Sequence, residues 1–489
     1  MPAKLSRLLY SFLVLLVPGL SALRAAPAID ILKNEAGVSG FTVPEPSSGR
    51  LADSPRLDPA RAEWLAARKL YSDGYFSPKT QHRIDSGPNP MIMLQGFHWY
   101  ADNYWLHLPN GWWGKLADSA SAVGRAGFGL IWFPPVSVGS YYPTEWYNLD
   151  SQWGKKEDVV RAVSAMHANN VLVLADVVLN HRNGTKAWAD FTSPDWPSTV
   201  VTQDDEWPGL PNTPYNSKSP NYDEGQGDSG CRDLDHRNPL VQQDSKIFMR
   251  WLKGSIGFDG WRYDMVKGYA PSHIRDYNSA SAPVFTVGEV YDGNRQVVAN
   301  WIDGTDDSPG KLNASSAFDF PTKFNLISAV EGERYEILND NGRPSGLIGW
   351  WPAKAVTFVE NHDTTPRDPN FIATASAEYK ATRLMAYAYI LTHPGVPCVF
   401  WPHFFDWGQD YQNKILTLMN IRKAAGITST SRIAILAATN ELYAAVIDGD
   451  KGRVVLKLGR NWGWNPGAGW TMAASGDRYA VWTQPLPLN

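Results

Sequence analysis

Cysteine is nearly missing from this chain, with two, Cys231 and Cys398, among 489 residues. Two cysteines cannot build a disulfide scaffold, and their separation offers no zinc-ligand spacing. One bridge at most can form, and Cys398, set in an apolar run, reads as a buried thiol. An excess of charge of one sign is also lacking. Lys and Arg total 45, Asp and Glu 49, for a net charge of −4. That balance gives no attraction to nucleic acid or to an anionic membrane surface. Beyond the first thirty residues no apolar run is long enough to span a bilayer, so no stable membrane association is expected. Short repeats and low-complexity tracts are absent as well.

What is abundant is aromatic, with 22 Trp and 21 Tyr. Such rings fill cores, and their flat faces also cover the C–H face of a pyranose. The N-terminus has a basic start at Lys4 and Arg7, an apolar run over 8–16, then small residues through Ala28. That pattern predicts an export signal over 1–28 and a secreted protein, extracellular or periplasmic. Residues 29–88 form an extension without an assigned role. It contains a linker at 44–49 and a helix starting at Asp58 and Pro59, with helical spacing over 61–70.

From residue 91 apolar strand-like runs alternate with helical ones. Strands are predicted at 91–94, 130–133, 171–178, 256–262, 284–289, 317–320, 356–359 and 396–401. Helices are predicted at 112–123, 156–168, 241–252 and 381–391. Repeated βα units over about three hundred residues predict a (β/α)8 TIM barrel. The barrel would occupy 89–181 and 234–423. Residues 182–233, rich in Asp, Asn, Pro, Gly and Ser, read as an irregular inserted domain after strand 3. From 424 to 489 short alternating runs with turns, such as Asp448-Gly449-Asp450, predict a C-terminal antiparallel β domain.

Barrel enzymes carry their chemistry at the C-terminal ends of strands. Four predicted strands here end in polar or ionisable groups: Asn180-His181, Arg262-Tyr-Asp264, Glu289, and Glu360-Asn-His362-Asp363. A pair of carboxyls flanking a bond is what glycoside cleavage needs, one ionised and one protonated. Asp264 suits the first role. Arg262, two residues before it on one strand face, is expected to lower its pKa. Glu289 follows an apolar approach whose desolvation raises its pKa. Asp363 adds a third negative charge, and His181 and His362 are expected as neutral partners for sugar hydroxyls.

These residues stand in four ordered motifs: Asp176-Val-Val-Leu-Asn180-His181, Gly260-Trp-Arg262-Tyr-Asp264, Gly288-Glu289-Val-Tyr and Phe358-Val-Glu-Asn361-His362-Asp363. With them the chain resembles the α-amylase family of glycoside hydrolases (family 13), from about residue 91 to its end. Gly257-Phe-Asp-Gly-Trp-Arg262 and His403-Phe-Phe-Asp-Trp-Gly408 are similar to the plant-type branch. The resemblance implies Asp264 as nucleophile, Glu289 as acid/base and Asp363 as transition-state stabiliser, supported by Arg262, His181 and His362. It implies Lys267 on sugar beyond the cleavage point. It also implies a ring stacked on the sugar before the cut, Tyr141, with the register against Tyr142 left open. Trp350 and Trp351 match a paired-tryptophan starch-surface site.

The resemblance further implies one structural Ca2+ held by Asn180, Asp223, Asp233 and the carbonyl of Gly268. The substrate implied is starch, glycogen or a maltooligosaccharide, cut internally by a retaining mechanism, and the protein is expected to be a monomer. Two alternatives stand beside this: a related glucan transferase or product-specific hydrolase, and a non-catalytic carbohydrate-binding protein. The presence of all three acids weighs against the last.

Overall fold

Eight short runs, rich in aliphatic and β-branched residues, become parallel strands because buried barrel strands need no polar alternation. They are β1 (Met93–Gln95), β2 (Leu130–Pro135), β3 (Leu172–Val177), β4 (Gly260–Tyr263), β5 (Thr286–Gly288), β6 (Ser316–Phe318), β7 (Ala355–Phe358) and β8 (Val396–Phe400). Each pairs in parallel with the next, and β8 pairs with β1, closing the barrel. The computed structural model describes residues 58–75, 83–102, 106–185, 188–228 and 230–486. The expected export signal and residues 29–57 and 76–82 of the extension lie outside the described residues. No helix among the described residues is long and apolar enough to cross a membrane.

Two strand boundaries differ from the sequence expectation for identifiable reasons. Ile256 does not open a strand. It ends a widened helical turn, Leu252–Ile256, that Gly257 terminates at φ +104°, a conformation suited to glycine. The strand starts at Gly260, where a Cβ would lie 2.0 Å from the carbonyl oxygen of Phe285. After β6, Asp319 does not extend the strand. Its carboxylate accepts the Thr322 N–H at 2.9 Å and caps the helix Phe320–Gly332.

In the described part of 182–232 there is no α-helix. A two-residue antiparallel pairing of His181–Arg182 with Arg232–Asp233 closes the segment. Phe191, Trp196, Val200, Val201 and Trp207 are buried in the segment, and two buried guanidinium groups work beside them. Arg182 donates to the carbonyls of Pro194 and Thr144, while Arg232 pairs with Asp205 at 2.5 Å and Glu206 at 2.6 Å. The C-terminal sheet runs β9 (Arg432–Ala438), β10 (Tyr443–Asp448), β11 (Gly452–Leu458), β12 (Thr471–Gly476) and β13 (Tyr479–Pro485), in the spatial order 9-10-11-13-12, all antiparallel. Cys231 and Cys398 are both free and buried, so no disulfide joins them.

The helix expected near Pro59 is present as α1 (Pro59–Ser72), capped by Asp58. Its buried Trp64 donates to Asp244 of the barrel helix Pro239–Trp251 at 3.3 Å, and Trp196 of the insert donates to the same carboxylate at 2.7 Å. Ser193 adds a bond to the Ala60 carbonyl, and Arg61 pairs with Asp195 at 2.8 Å. The helix therefore ties the insert to the barrel wall. Trp64→Ala is expected to lower stability by about 3–5 kcal/mol, as for other fully buried tryptophans. Denaturant unfolding checks this, and a loss below about 1 kcal/mol would show that α1 is an appendage.

Candidate active site

One guanidinium organises the C-terminal rim of the barrel. Arg262, at the end of β4, is fully buried. Its Nη1 donates to Asp176 Oδ1 of β3 at 2.8 Å and to Asp264 Oδ1 at 2.5 Å. Its Nη2 lies 2.8 Å from Glu289 Oε2, just after β5. The Trp132 ring supports the guanidinium carbon at 4.8 Å. Three carboxyls from three adjacent strands are thereby drawn to one cation. Glu289 also accepts the Met265 N–H at 3.1 Å, which fixes its second approach.

From the far side of the barrel, β7 delivers His362 and Asp363. His362 Nδ1 faces the Gln95 amide at 3.1 Å and its Nε2 lies 3.3 Å from Asp363 Oδ2. A donating Gln95 leaves the ring proton on Nε2, directed at Asp363. The loop after β2 supplies Tyr141, whose hydroxyl donates to Asp176 at 2.9 Å. Its ring is near-parallel to His362, at 9° and 5.1 Å between centroids. Trp99, from the loop after β1, continues this shelf at 6° and 5.9 Å from Tyr141. Of the two neighbouring tyrosines, Tyr141 joins the cluster and Tyr142 is exposed.

The charges divide by environment. Burial pushes Glu289 up to about 8, with Asp264 and Asp363 adding repulsion against the pull of Arg262. Asp264 does not fall below the ordinary carboxylate range as its neighbour Arg262 led us to expect. Burial outweighs Arg262 and, with Asp176 and Asp363 nearby, raises it to about 6. The order nevertheless holds, with Asp264 ionising before Glu289. Burial would raise Asp363 too, but His362, Arg262 and Arg367 hold it below the usual range. Burial keeps His181 and His362 neutral, the latter lowered to about 4.

Asp176 is the functional residue that sequence reasoning quoted within a motif and gave no role. It accepts from Arg262, Tyr141 and the Trp132 indole at 3.0 Å. Gln95, Trp99 and Arg367 were not singled out as site residues, and only their contacts mark them. His181 is buried beside Asn180, its Nε2 2.8 Å from the Tyr141 carbonyl. Lys267 sits on the rim near Glu289, donating to Asp292 at 3.0 Å and to the Tyr291 carbonyl. Trp350 is exposed with the Arg295 guanidinium 3.9 Å over its ring, whereas Trp351 is half-buried against the core.

A second acidic group adjoins the site. Asp205, Glu206 and Asp233 come close enough to share a cation, yet Arg232 already pairs with Asp205 and Glu206. Asp233 and Asp223 have no such partner. Asp223 Oδ2 is buried without a hydrogen bond. A Cβ built on Gly227 would lie 2.6 Å from Asp233 Oδ2 and 3.4 Å from Asp223 Oδ2, so both carboxylates face one point. Asn180 donates to Asp233 and packs on Gly268, where a Cβ would meet its Oδ1 at 1.8 Å. An orphaned carboxylate oxygen within an all-oxygen donor set fits a hard divalent cation.

A closed parallel barrel that gathers ionisable carboxyls around one arginine, beside a shelf of aromatic rings, defines a carbohydrate-cleaving enzyme of the glycoside hydrolase class. Comparison with known proteins narrows the class. The family description "Alpha amylase, catalytic domain" matches residues 125–403, and "Alpha-amylase C-terminal beta-sheet domain" matches 424–483. A probable alpha-amylase 2 of Arabidopsis thaliana is 34% identical over 418 residues, covering 80% of this chain and 93% of its own. A glucan 1,4-alpha-maltotetraohydrolase of Stutzerimonas stutzeri is 30% identical over 406 residues, covering 77% of this chain and 69% of its own. The solved Anoxybacillus alpha-amylase superposes with a TM-score of 0.61 at 15% identity, over 84% of this chain and 100% of that one. The chain belongs to the α-amylase family.

Proposed function

We propose that this protein hydrolyses internal α-1,4-glucosidic bonds of starch, glycogen and maltooligosaccharides with retention of configuration. The observation that carries the reading is the sharing of Arg262 by Asp264 and Glu289. Carboxyls that share one guanidinium lie close together, as in retaining enzymes, where they are about 5 Å apart. Asp264 attacks the anomeric carbon while Glu289, protonated by virtue of its burial, gives its proton to the departing oxygen. The glycosyl-enzyme ester is then opened by water, from which Glu289 takes a proton.

Asp363 stabilises the oxocarbenium-like transition state, and Arg262 holds the charge of Asp264. Tyr141 stacks on the sugar before the cut. His181 and His362 hydrogen-bond sugar hydroxyls, and Lys267 meets sugar on the leaving side. Trp350, with Trp351 behind it, offers a starch-surface platform. Asn180, Asp223, Asp233 and the Gly268 carbonyl would hold one Ca2+, which would supply the positive charge that the Asp223 and Asp233 carboxylates face without a basic partner among the described residues. The basic and apolar N-terminus supports action outside the cell.

The test follows products from soluble starch. Iodine colour is expected to vanish while few reducing ends have appeared, and NMR is expected to show the α-anomer first. A β-anomer formed first would sink retention. Disproportionation without net reducing ends would favour a transferase, and bound but unchanged starch would favour a binding protein.

A further inference from the structure

The aromatic shelf carries a cation where a neutral sugar has to sit. Tyr141 and Trp99 are near-parallel neighbours at 5.9 Å between centroids, and on the proposed reading a glucan held at Tyr141 extends its next ring toward Trp99. The guanidinium carbon of Arg367 lies 4.4 Å over the Trp99 ring. The same side chain donates from Nη2 to Asp363 Oδ1 at 2.9 Å. It therefore occupies an apolar ring face and a carboxylate acceptor, the two features by which a pyranose is held. It also bridges the loop after β7 to the loop after β1. Yet 57% of the side chain is exposed, so it can swing into water without opening the core.

We propose that Arg367 is a specificity-determining latch, covering the Trp99 ring until an α-glucan long enough to reach that ring displaces it. This rests on the reading of the cleft as an α-1,4-glucan site. A short chain that ends on Tyr141 leaves the latch shut. A longer one exchanges the guanidinium contact with Trp99 for stacking of its own ring and frees Asp363 Oδ1 for a sugar hydroxyl. Displacing the latch offsets part of the affinity gained at Trp99, so the enzyme discriminates less in favour of long chains than its shelf alone would allow.

Arg367→Ala tests this through the ratio of kcat/KM for maltoheptaose to that for maltose, whose only cleavable pose ends on Tyr141. Any change at Asp363 that both substrates feel cancels in this ratio. The latch predicts a rise of about fivefold or more, carried mainly by a lower KM for maltoheptaose, with Arg367→Gln behaving alike. An unchanged ratio would overturn the proposal. A falling ratio would also overturn it, because it would mean that Arg367 stays and binds the longer chain. Calorimetric binding of the two oligosaccharides to Glu289→Gln and to the Glu289→Gln/Arg367→Ala double variant reads the same preference without turnover. Absence of hydrolysis by the unaltered protein would therefore sink the hydrolase reading, while the binding ratio would still decide the latch.

Discussion

Glu289→Gln is expected to lower kcat on starch by about 10³–10⁴-fold, the usual scale for loss of a positioned general acid. The amide has the shape of the acid and can still accept the Met265 N–H that Glu289 takes at 3.1 Å. It cannot supply the proton that a sugar leaving group needs. Because burial already favours the uncharged acid, raising it to about 8, a neutral amide fits the pocket and the thermal midpoint is expected to hold. The pH profile carries the same assignment. Activity is expected to rise as Asp264 ionises near 6 and to fall as Glu289 loses its proton near 8. A maltosyl fluoride, whose leaving group needs no proton, should recover much of the first step in the variant. A variant of near-normal rate on starch, or one unable to use the fluoride any better than starch, would remove Glu289 from this role.

The rim was legible because buried parallel strands read as apolar runs and barrel chemistry sits where those runs stop. That logic located Asp264, Glu289 and Asp363 through β4, β5 and β7. It placed Arg262 beside Asp264 correctly but saw only the pairwise attraction. The burial that raises Asp264 depends on neighbours from β3 and β7 that no local spacing reveals. Asp176, inside the predicted strand 171–178, gave no local sign of a role, because its partners Trp132, Tyr141 and Arg262 arrive from β2, the loop after it, and β4. Helices such as Pro271–Ser281 and Arg295–Gly304 were not read from the sequence. They run only 11 and 10 residues, too short for a long apolar period to stand out, and packing against neighbours sustains them. The strand Thr471–Gly476 carries little sequence signal for a related reason. It is an edge strand of Thr, Ala, Ser and Gly, mostly exposed, with little side chain to bury.

Removal of calcium is expected to lower the melting temperature, and to lower it more as pH rises. Without a cation, burial and the charges of Asp223, Asp205 and Asp228 raise the Asp233 carboxyl to about 8. The unfolded chain titrates this group near its ordinary value of 3.8. Metal-free folded protein thus binds a proton that the unfolded chain has released. Its contribution is fully present below about 3.8 and is lost as pH climbs toward 8. Burial raises Asp223 as well, with the same sign. A divalent ion takes the place of that proton, so its benefit grows across the same window. At about a thousandfold excess over Kd a bound ion stabilises by about 4 kcal/mol, which for a chain of this size is roughly 4 °C. The difference between calcium-loaded and chelated protein should therefore widen from pH 5 to pH 8. Asp233→Asn removes the titrating charge, and its melting temperature should respond little to calcium. In chelator at pH 8 it should melt above the chelated unaltered protein, because no proton has to be taken up on folding. A calcium effect that is absent, or that shrinks as pH rises, would show that Asp223 and Asp233 do not hold the ion.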